Sequence, residues 1–332
     1  MLQRIDRSGQ RRKVAVFAPV ILTYILLSIS IYSQTDNVKP KDSLKQTEGY
    51  TIGVHVDLVL MYASVFDKNG RFVPGLKGDN FKLYEDGIEQ EIESFAQDDV
   101  PVSIGILLDL SGSMRGKIDQ VNKAALAFIR ASNPQDQVFL IGFNDEVELL
   151  QDFTSDIDEI TDSLENALVT GGTSLYDAIY LGVQKAHTGK MPKKAVVVIS
   201  DGEDRDSYYK LNELVEKVQE SDVQVFCVGF MDPIPVKGFF GKWSKSAEEK
   251  AIDDLQRIAE ETGGKAFFPK KVSDIHRIVE EIATELRSQY SLGYFSSNGT
   301  RDGSFRRVKI QLMGGASKNH IRYRRGYYAP KE

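Results

Sequence analysis

Residues 104–114 read Ile104-Gly105-Ile106-Leu107-Leu108-Asp109-Leu110-Ser111-Gly112-Ser113-Met114, an apolar run that stops at a carboxylate and enters a turn bearing two hydroxyls. Apolar residues then recur at Ile118, Val121, Ala125, Phe128 and Ile129, the three-and-four spacing of an amphipathic helix. A short apolar run followed by such a helix is the grammar of a buried parallel strand covered on both faces. Further runs of this kind occupy 138–143, 195–199 and 223–228, with helical stretches near 174–187, 210–220, 249–261 and 273–287. In the last of these, Ile275, Ile278, Val279, Ile282 and Leu286 share one stripe. The alternation predicts an α/β unit over residues 100–287, built on a doubly wound, mainly parallel, Rossmann-like sheet.

Outward from this unit the pattern changes to short strands. Ile52, Val54, Val56, Leu58 and Leu60 alternate with other residues, which is a strand signal. A turn at Asp67-Lys-Asn-Gly70 follows. Phe81-Lys-Leu-Tyr84 and residues 88–95 then flank Glu85-Asp-Gly87, a hairpin with glycine at the positive-φ position. After Ser288, strand patterns return at 290–295, 305–312 and 320–328. Neither flank has strands enough to bury a core alone. The expectation is that residues 288–332 pair with residues 50–99 as a small all-β, sandwich-like domain into which the α/β unit is inserted. Residues 34–49 read as a polar linker.

The loop after the first buried strand carries the chemistry. Asp109, Ser111 and Ser113 offer a carboxylate and two hydroxyls on alternate residues, at the carboxyl end of a strand where open α/β sheets bind ligands. Thr173 closes Thr170-Gly-Gly-Thr173 just before a predicted helix, and Asp201 follows the run at 195–199. Hard oxygen donors of this kind suit Mg²⁺ (or Ca²⁺/Mn²⁺) and not a soft metal. Taken singly, such residues cap helices and form turns. Taken together, Asp109-x-Ser111-x-Ser113, Gly171-Gly-Thr173 and Ser200-Asp201-Gly202 resemble the metal-ion-dependent adhesion site (MIDAS) of von Willebrand factor type A domains. The resemblance covers about residues 100–287. The flanking stretches Asp79-Asn-Phe-Lys-Leu-Tyr-Glu-Asp-Gly87, Tyr290-Ser-Leu-Gly-Tyr294 and Arg325-Gly-Tyr-Tyr-Ala-Pro330 resemble a bacterial exported subgroup of that family.

The resemblance implies that Ser111 and Ser113 ligate the metal directly and that Asp109 and Asp201 act largely through water. Thr173 would join directly or through water according to state. A cation held mainly by neutral hydroxyls is undercompensated, so a protein partner offering an Asp or Glu can complete it. The function implied is a metal-dependent adhesion or scaffold module. The alternatives are a cell-envelope scaffold with a purely structural metal, or a serine hydrolase. A hydrolase needs a base to activate serine. None of His55, His187, His276 and His320 stands at a predicted strand end beside Asp109, and Gly-x-Ser-x-Gly is absent. The expectation is therefore not an enzyme.

Composition sets the remaining bounds. Formal net charge is -6. Without residues 1–33 the chain keeps 37 cationic against 47 anionic side chains, net -10. That balance repels phosphate backbones and argues against nucleic acid. The single cysteine, Cys227, excludes an internal disulfide and reads as a small buried hydrophobe. Arg4, Arg7, Arg11, Arg12 and Lys13 precede an uncharged stretch from Val14 to Tyr32, the pattern of a cleaved signal peptide or a retained membrane anchor over residues 1–33. Both readings export the remainder to the periplasm, the cell envelope or the exterior. Residues 231–248 interrupt the α/β rhythm. Phe239, Phe240 and Trp243 there read either as a partner-binding surface on the metal rim or as aromatics folded onto the core. Glu203, Asp204 and Asp206 extend the acidic loop after Asp201 and read as a solvated loop, with a second cation site as the alternative.

Overall fold

The computed structural model describes residues 57–97, 99–230 and 247–331. Residues 1–33, read above as a signal peptide or anchor, residues 34–49, the start of the first predicted strand and the aromatic residues Phe239, Phe240 and Trp243 lie outside the described residues. Among the described residues no helix is long and apolar enough to cross a membrane.

Four strands come first: β1 (Leu58–Phe66), β2 (Phe81–Glu85), β3 (Ile88–Gln90) and β4 (Ser94–Ala96). The α/β unit follows, beginning with β5 (Val102–Asp109), α1 (Ile118–Ala131), β6 (Gln137–Phe143), β7 (Val147–Thr154) and α2 (Ile157–Glu165). It continues through α3 (Leu175–His187), β8 (Lys193–Ser200), α4 (Leu211–Gln219) and β9 (Gln224–Gly229). It closes with α5 (Ala247–Glu261), β10 (Ala266–Phe267) and α6 (Ile275–Ser288). The tail holds β11 (Tyr290–Phe295), β12 (Phe305–Leu312), β13 (His320–Tyr323) and β14 (Gly326–Tyr328).

The central sheet runs β10-β9-β8-β5-β6-β7, parallel throughout except for the antiparallel edge strand β7. Every residue of β5 is buried, because alternate side chains enter cores on opposite faces. Ile104, Ile106 and Leu108 pack toward α1 and α6, and Leu107 packs with residues of α3, α4 and α5. Burial of both faces explains why these strands read as unbroken apolar runs. Cys227 belongs to the second core, where burial pushes its thiol up to about 12.

Two strand–helix features have no such run. In β7 most residues are half-buried or exposed, since it lies at the sheet edge with one side open. The neighbouring α2 buries only Ile160 and Leu164, and its N-terminus is capped by the Asp156 carboxylate, which accepts the Asp158 amide at 2.9 Å.

The remaining strands form two four-stranded antiparallel sheets, β13-β1-β11-β4 and β14-β12-β2-β3. Met61, Val65, Leu83, Tyr290, Leu292, Tyr294 and Val308 share one core between them. Register sets Met61 against Leu292, and Ile310 against Leu83. The β2–β3 turn places Asp86 at φ 47° and Gly87 at φ 88°, the left-handed pair that a two-residue hairpin needs.

The structure adds the inner face of β1 and corrects two strand expectations, at residues 88–95 and 320–328. Leu58 and Leu60 face outward at 47% and 38% exposure, while Val59, Met61, Ala63 and Val65 face the core. Both faces of β1 are apolar at its start, so alternation marked a strand without choosing its inner side. Residues 88–95 are two strands in different sheets, β3 and β4. Residues 320–328 likewise split at Arg324-Arg325, where the chain turns a corner of the sandwich. Arg324 donates to the Leu60 carbonyl at 3.0 Å, and Arg325 pairs with Glu260 and Glu261 of α5.

Candidate metal centre

β5 ends at Asp109 and β8 at Ser200, side by side in the sheet. The chain leaves β5 toward β6 and returns to the other side of it at β8, so a crevice opens at these carboxyl ends. Asp109 is fully buried. One of its oxygens accepts the Ser111 amide at 2.9 Å, and the other accepts the Ser200 hydroxyl at 2.6 Å. The Ser200 hydroxyl itself accepts the Gly202 amide at 2.9 Å. A single carboxylate thus fastens the first loop to the loop after β8. Next to it the Ser111 and Ser113 hydroxyls stand 3.0 Å apart, Ser111 buried and Ser113 exposed.

The middle loop is brought in by backbone bonds. Gly112 donates to the Gly171 carbonyl at 3.3 Å, and Thr170 donates to the Leu110 carbonyl at 2.8 Å. Gly171 holds φ at +80°, and a Cβ there would lie 1.9 Å from Asp145 Oδ1. A Cβ on Gly172 would lie 1.9 Å from Asp206 Oδ2. The glycine pair is required by space as well as by conformation. Thr173 is buried; its amide donates to Asp206 at 2.8 Å, and its carbonyl accepts the Arg205 and Asp206 amides at 3.0 and 3.1 Å. Its backbone is fully engaged, which leaves the hydroxyl.

Electrostatics single out the same place. Burial pushes the Asp109 carboxyl above its ordinary range, against the hydrogen bonds from Ser111 and Ser200, and the charge of Asp201 pushes the same way. One oxygen of Asp201, Oδ1, is buried without a hydrogen-bond partner. Neighbouring acids, one with an orphaned oxygen, beside hydroxyls form a cluster short of positive charge. These hard donors fit Mg²⁺, Ca²⁺ or Mn²⁺. Among the described residues no three His, Cys, Asp or Glu side chains gather as an acid- or imidazole-based site, so the donor set rests on hydroxyls.

Asp109, Ser111, Ser113 and Asp201 are linked by direct bonds or by charge, and the loop bearing Thr173 joins them through the Gly171 carbonyl, which accepts the Gly112 amide. The acidic loop is corrected: Asp204 and Asp206 are braces and not merely solvated charges. Asp204 accepts the Ser207 hydroxyl at 2.5 Å and the Tyr176 amide at 3.2 Å. Burial pushes its carboxyl upward against those bonds. Glu203 instead pairs with Arg205. Asp177, in the first turn of α3, accepts the Tyr208 and Tyr209 amides at 2.9 and 3.0 Å. The bonding roles of Ser200, which ties Asp109 to the loop after β8, and of Asp206, which holds the Thr173 amide, are found only in the structure. The available signal was a hydroxyl and an acid flanking Asp201, near the start of the loop facing α3.

A family model described as the von Willebrand factor type A domain matches residues 103–281. Over 150 residues the chain is 24% identical to inter-alpha-trypsin inhibitor heavy chain H4 of Sus scrofa, covering 41% of this chain and 16% of that one. Over 149 residues it is 26% identical to integrin alpha-1 of Gallus gallus, covering 42% of this chain and 49% of that one. The chain spans less than half the length of each of these relatives. A solved von Willebrand factor type A structure from Catenulispora acidiphila aligns at 12% identity with a TM-score of 0.47, covering 83% of this chain and 74% of that one.

Proposed function

Because the chain belongs to the von Willebrand factor type A domain family, we propose that it is an exported, metal-dependent protein-binding module of the adhesion or scaffold kind. Asp109, Ser111, Ser113, Thr173 and Asp201 are its cation site, and a partner's Asp or Glu is its ligand. The observation that carries this reading is the orphaned Asp201 oxygen, buried beside Asp109 and the paired serine hydroxyls. A divalent cation bound there supplies the positive charge this cluster lacks and a Lewis-acidic position that an incoming carboxylate can fill.

The chain's own residues do the preparatory work. The Ser111 amide and Ser200 hydroxyl fix both oxygens of Asp109, so little reorganisation accompanies binding. Ser111 and Ser113 present uncharged oxygens, which leave most of a cation's charge for the partner to neutralise. Asp206 holds Thr173 in place from the adjoining loop. Relatives named as an integrin and an inhibitor heavy chain support a protein-binding role.

Catalysis is no part of the proposal. Neither His187, His276 nor His320 is hydrogen-bonded to Ser111 or Ser113, and a serine without an oriented base is a poor nucleophile. Export rests on the cationic and apolar pattern of residues 1–33.

Partner capture from envelope extracts tests the reading, using wild type and Asp109→Ala, each with and without EDTA. The expected result is a prey retained by wild type and lost both on chelation and in the variant. An identical prey set in all four arms contradicts it.

A further inference from the structure

Beside the metal centre lies a groove of about 620 Å³, within the range of about 300–1,000 Å³ that receives ligands. Leu110, the residue between Asp109 and Ser111, is part of its wall, so the groove and the hydroxyl cluster share one loop. Leu150 on β7 and Leu168, which is 79% exposed, continue the apolar surface. Glu146, Glu148 and Asp162 line the same groove, and no lysine or arginine does. All three acids are exposed and have no ion-pair partner among the described residues.

We propose that this groove receives the side chain of a lysine or arginine lying close in the partner's sequence to the acid bound at the metal centre. The inference rests on the reading given under Proposed function and deepens it. Lysine and arginine carry an apolar stem and a charged head, and here the stem lies along Leu110, Leu150 and Leu168 while the head meets the carboxylates. Charge complementarity points the same way. An acidic partner segment approaching this rim meets Glu146, Glu148 and Asp162, and a neighbouring base turns that repulsion into attraction. The groove thus rejects partners whose acid is flanked by further acids.

Selection of a displayed random-peptide library on the Mg²⁺-loaded full chain tests this, with a parallel selection on a Glu146→Gln/Glu148→Gln/Asp162→Asn variant and elution by EDTA. Binders from wild type are expected to carry Asp or Glu with Lys or Arg nearby. Those peptides are expected to bind the variant about tenfold more weakly. Chelator-eluted peptides rich in acid but without enriched base, or equal binding by both proteins, overturn the groove proposal alone. Binders without acid enrichment, or none released by EDTA, overturn the metal reading and the groove proposal with it.

Discussion

Ser111 and Ser113 contribute almost nothing to holding the fold, since their hydroxyls bond chiefly within the site. Replacing both with Ala is expected to abolish Mg²⁺ binding measured by calorimetry. Because a hydrogen bond is worth only about 0.5–1.5 kcal/mol net, the urea midpoint should hardly move. Loss of metal binding together with global unfolding would show the pair to be structural. Asp136 tests the opposite behaviour, far from this site. It accepts the Val102 and Asn133 amides at 2.8 and 2.9 Å, yet burial raises its carboxyl above the ordinary 3.8. A raised folded pKa means that its contribution to stability is greatest below 3.8 and declines as pH climbs through the folded value. Asp136→Asn should therefore flatten the stability–pH profile above pH 4 in denaturant titrations. An unchanged slope would contradict the assignment. The five proposed ligands were legible because each stands at a strand end or turn with oxygen in its side chain. Ser200 and Asp206 were not, because each acts on a group distant in sequence.

The elements around the centre are held by small residues. Gly172→Ala would drive a methyl into the Asp206 carboxylate and release the Thr173 amide. A clear fall in Mg²⁺ affinity, about tenfold, is expected from the loss of a charge-assisted bond of about 1.5–3 kcal/mol. Asp206→Ala should fall as far and Asp206→Asn less, since the amide oxygen still accepts. Equal losses for Ala and Asn would remove the carbonyl-oxygen argument. The strand–helix rhythm around this loop was readable because strands covered on two faces are mostly apolar along their length. Edge strand β7 and the sandwich corners left weaker traces. At β1 both outward Leu58 and inward Val59 are apolar, and at Arg324-Arg325 a basic pair hides a change of sheet.

Across the whole molecule, the α/β unit and the sandwich are joined by a buried polar seam. Glu285 on α6 pairs with Arg322 on β13 and accepts the Ser64 hydroxyl of β1 at 2.8 Å. Lys193 of β8 stands 5.1 Å from the ring centre of Tyr62 on β1, and Gln289 donates to Gln224 at 3.0 Å and to the Ser64 hydroxyl at 3.3 Å. Glu285 Oε2 and Arg322 Nε are nonetheless buried without partners, so the seam specifies alignment more than it stabilises. Glu285→Ala should cost about 3–5 kcal/mol in urea unfolding by stranding Arg322, whereas Glu285→Met/Arg322→Met should cost much less. A double variant as damaged as the sum of both single ones would contradict this. The presence of strands on both flanks was legible in period-2 patterns. The seam was not, because Ser64 and Glu285 stand 221 residues apart in the sequence and no local pattern pairs them. What the molecule does depends on the cation site, and Mn²⁺ titration followed by electron paramagnetic resonance tests it most directly. The account predicts a single tight site that disappears in Ser111→Ala/Ser113→Ala and whose signal changes when a Glu-bearing peptide is added. Mn²⁺ binding that survives the double variant, or a signal indifferent to carboxylate, would contradict it.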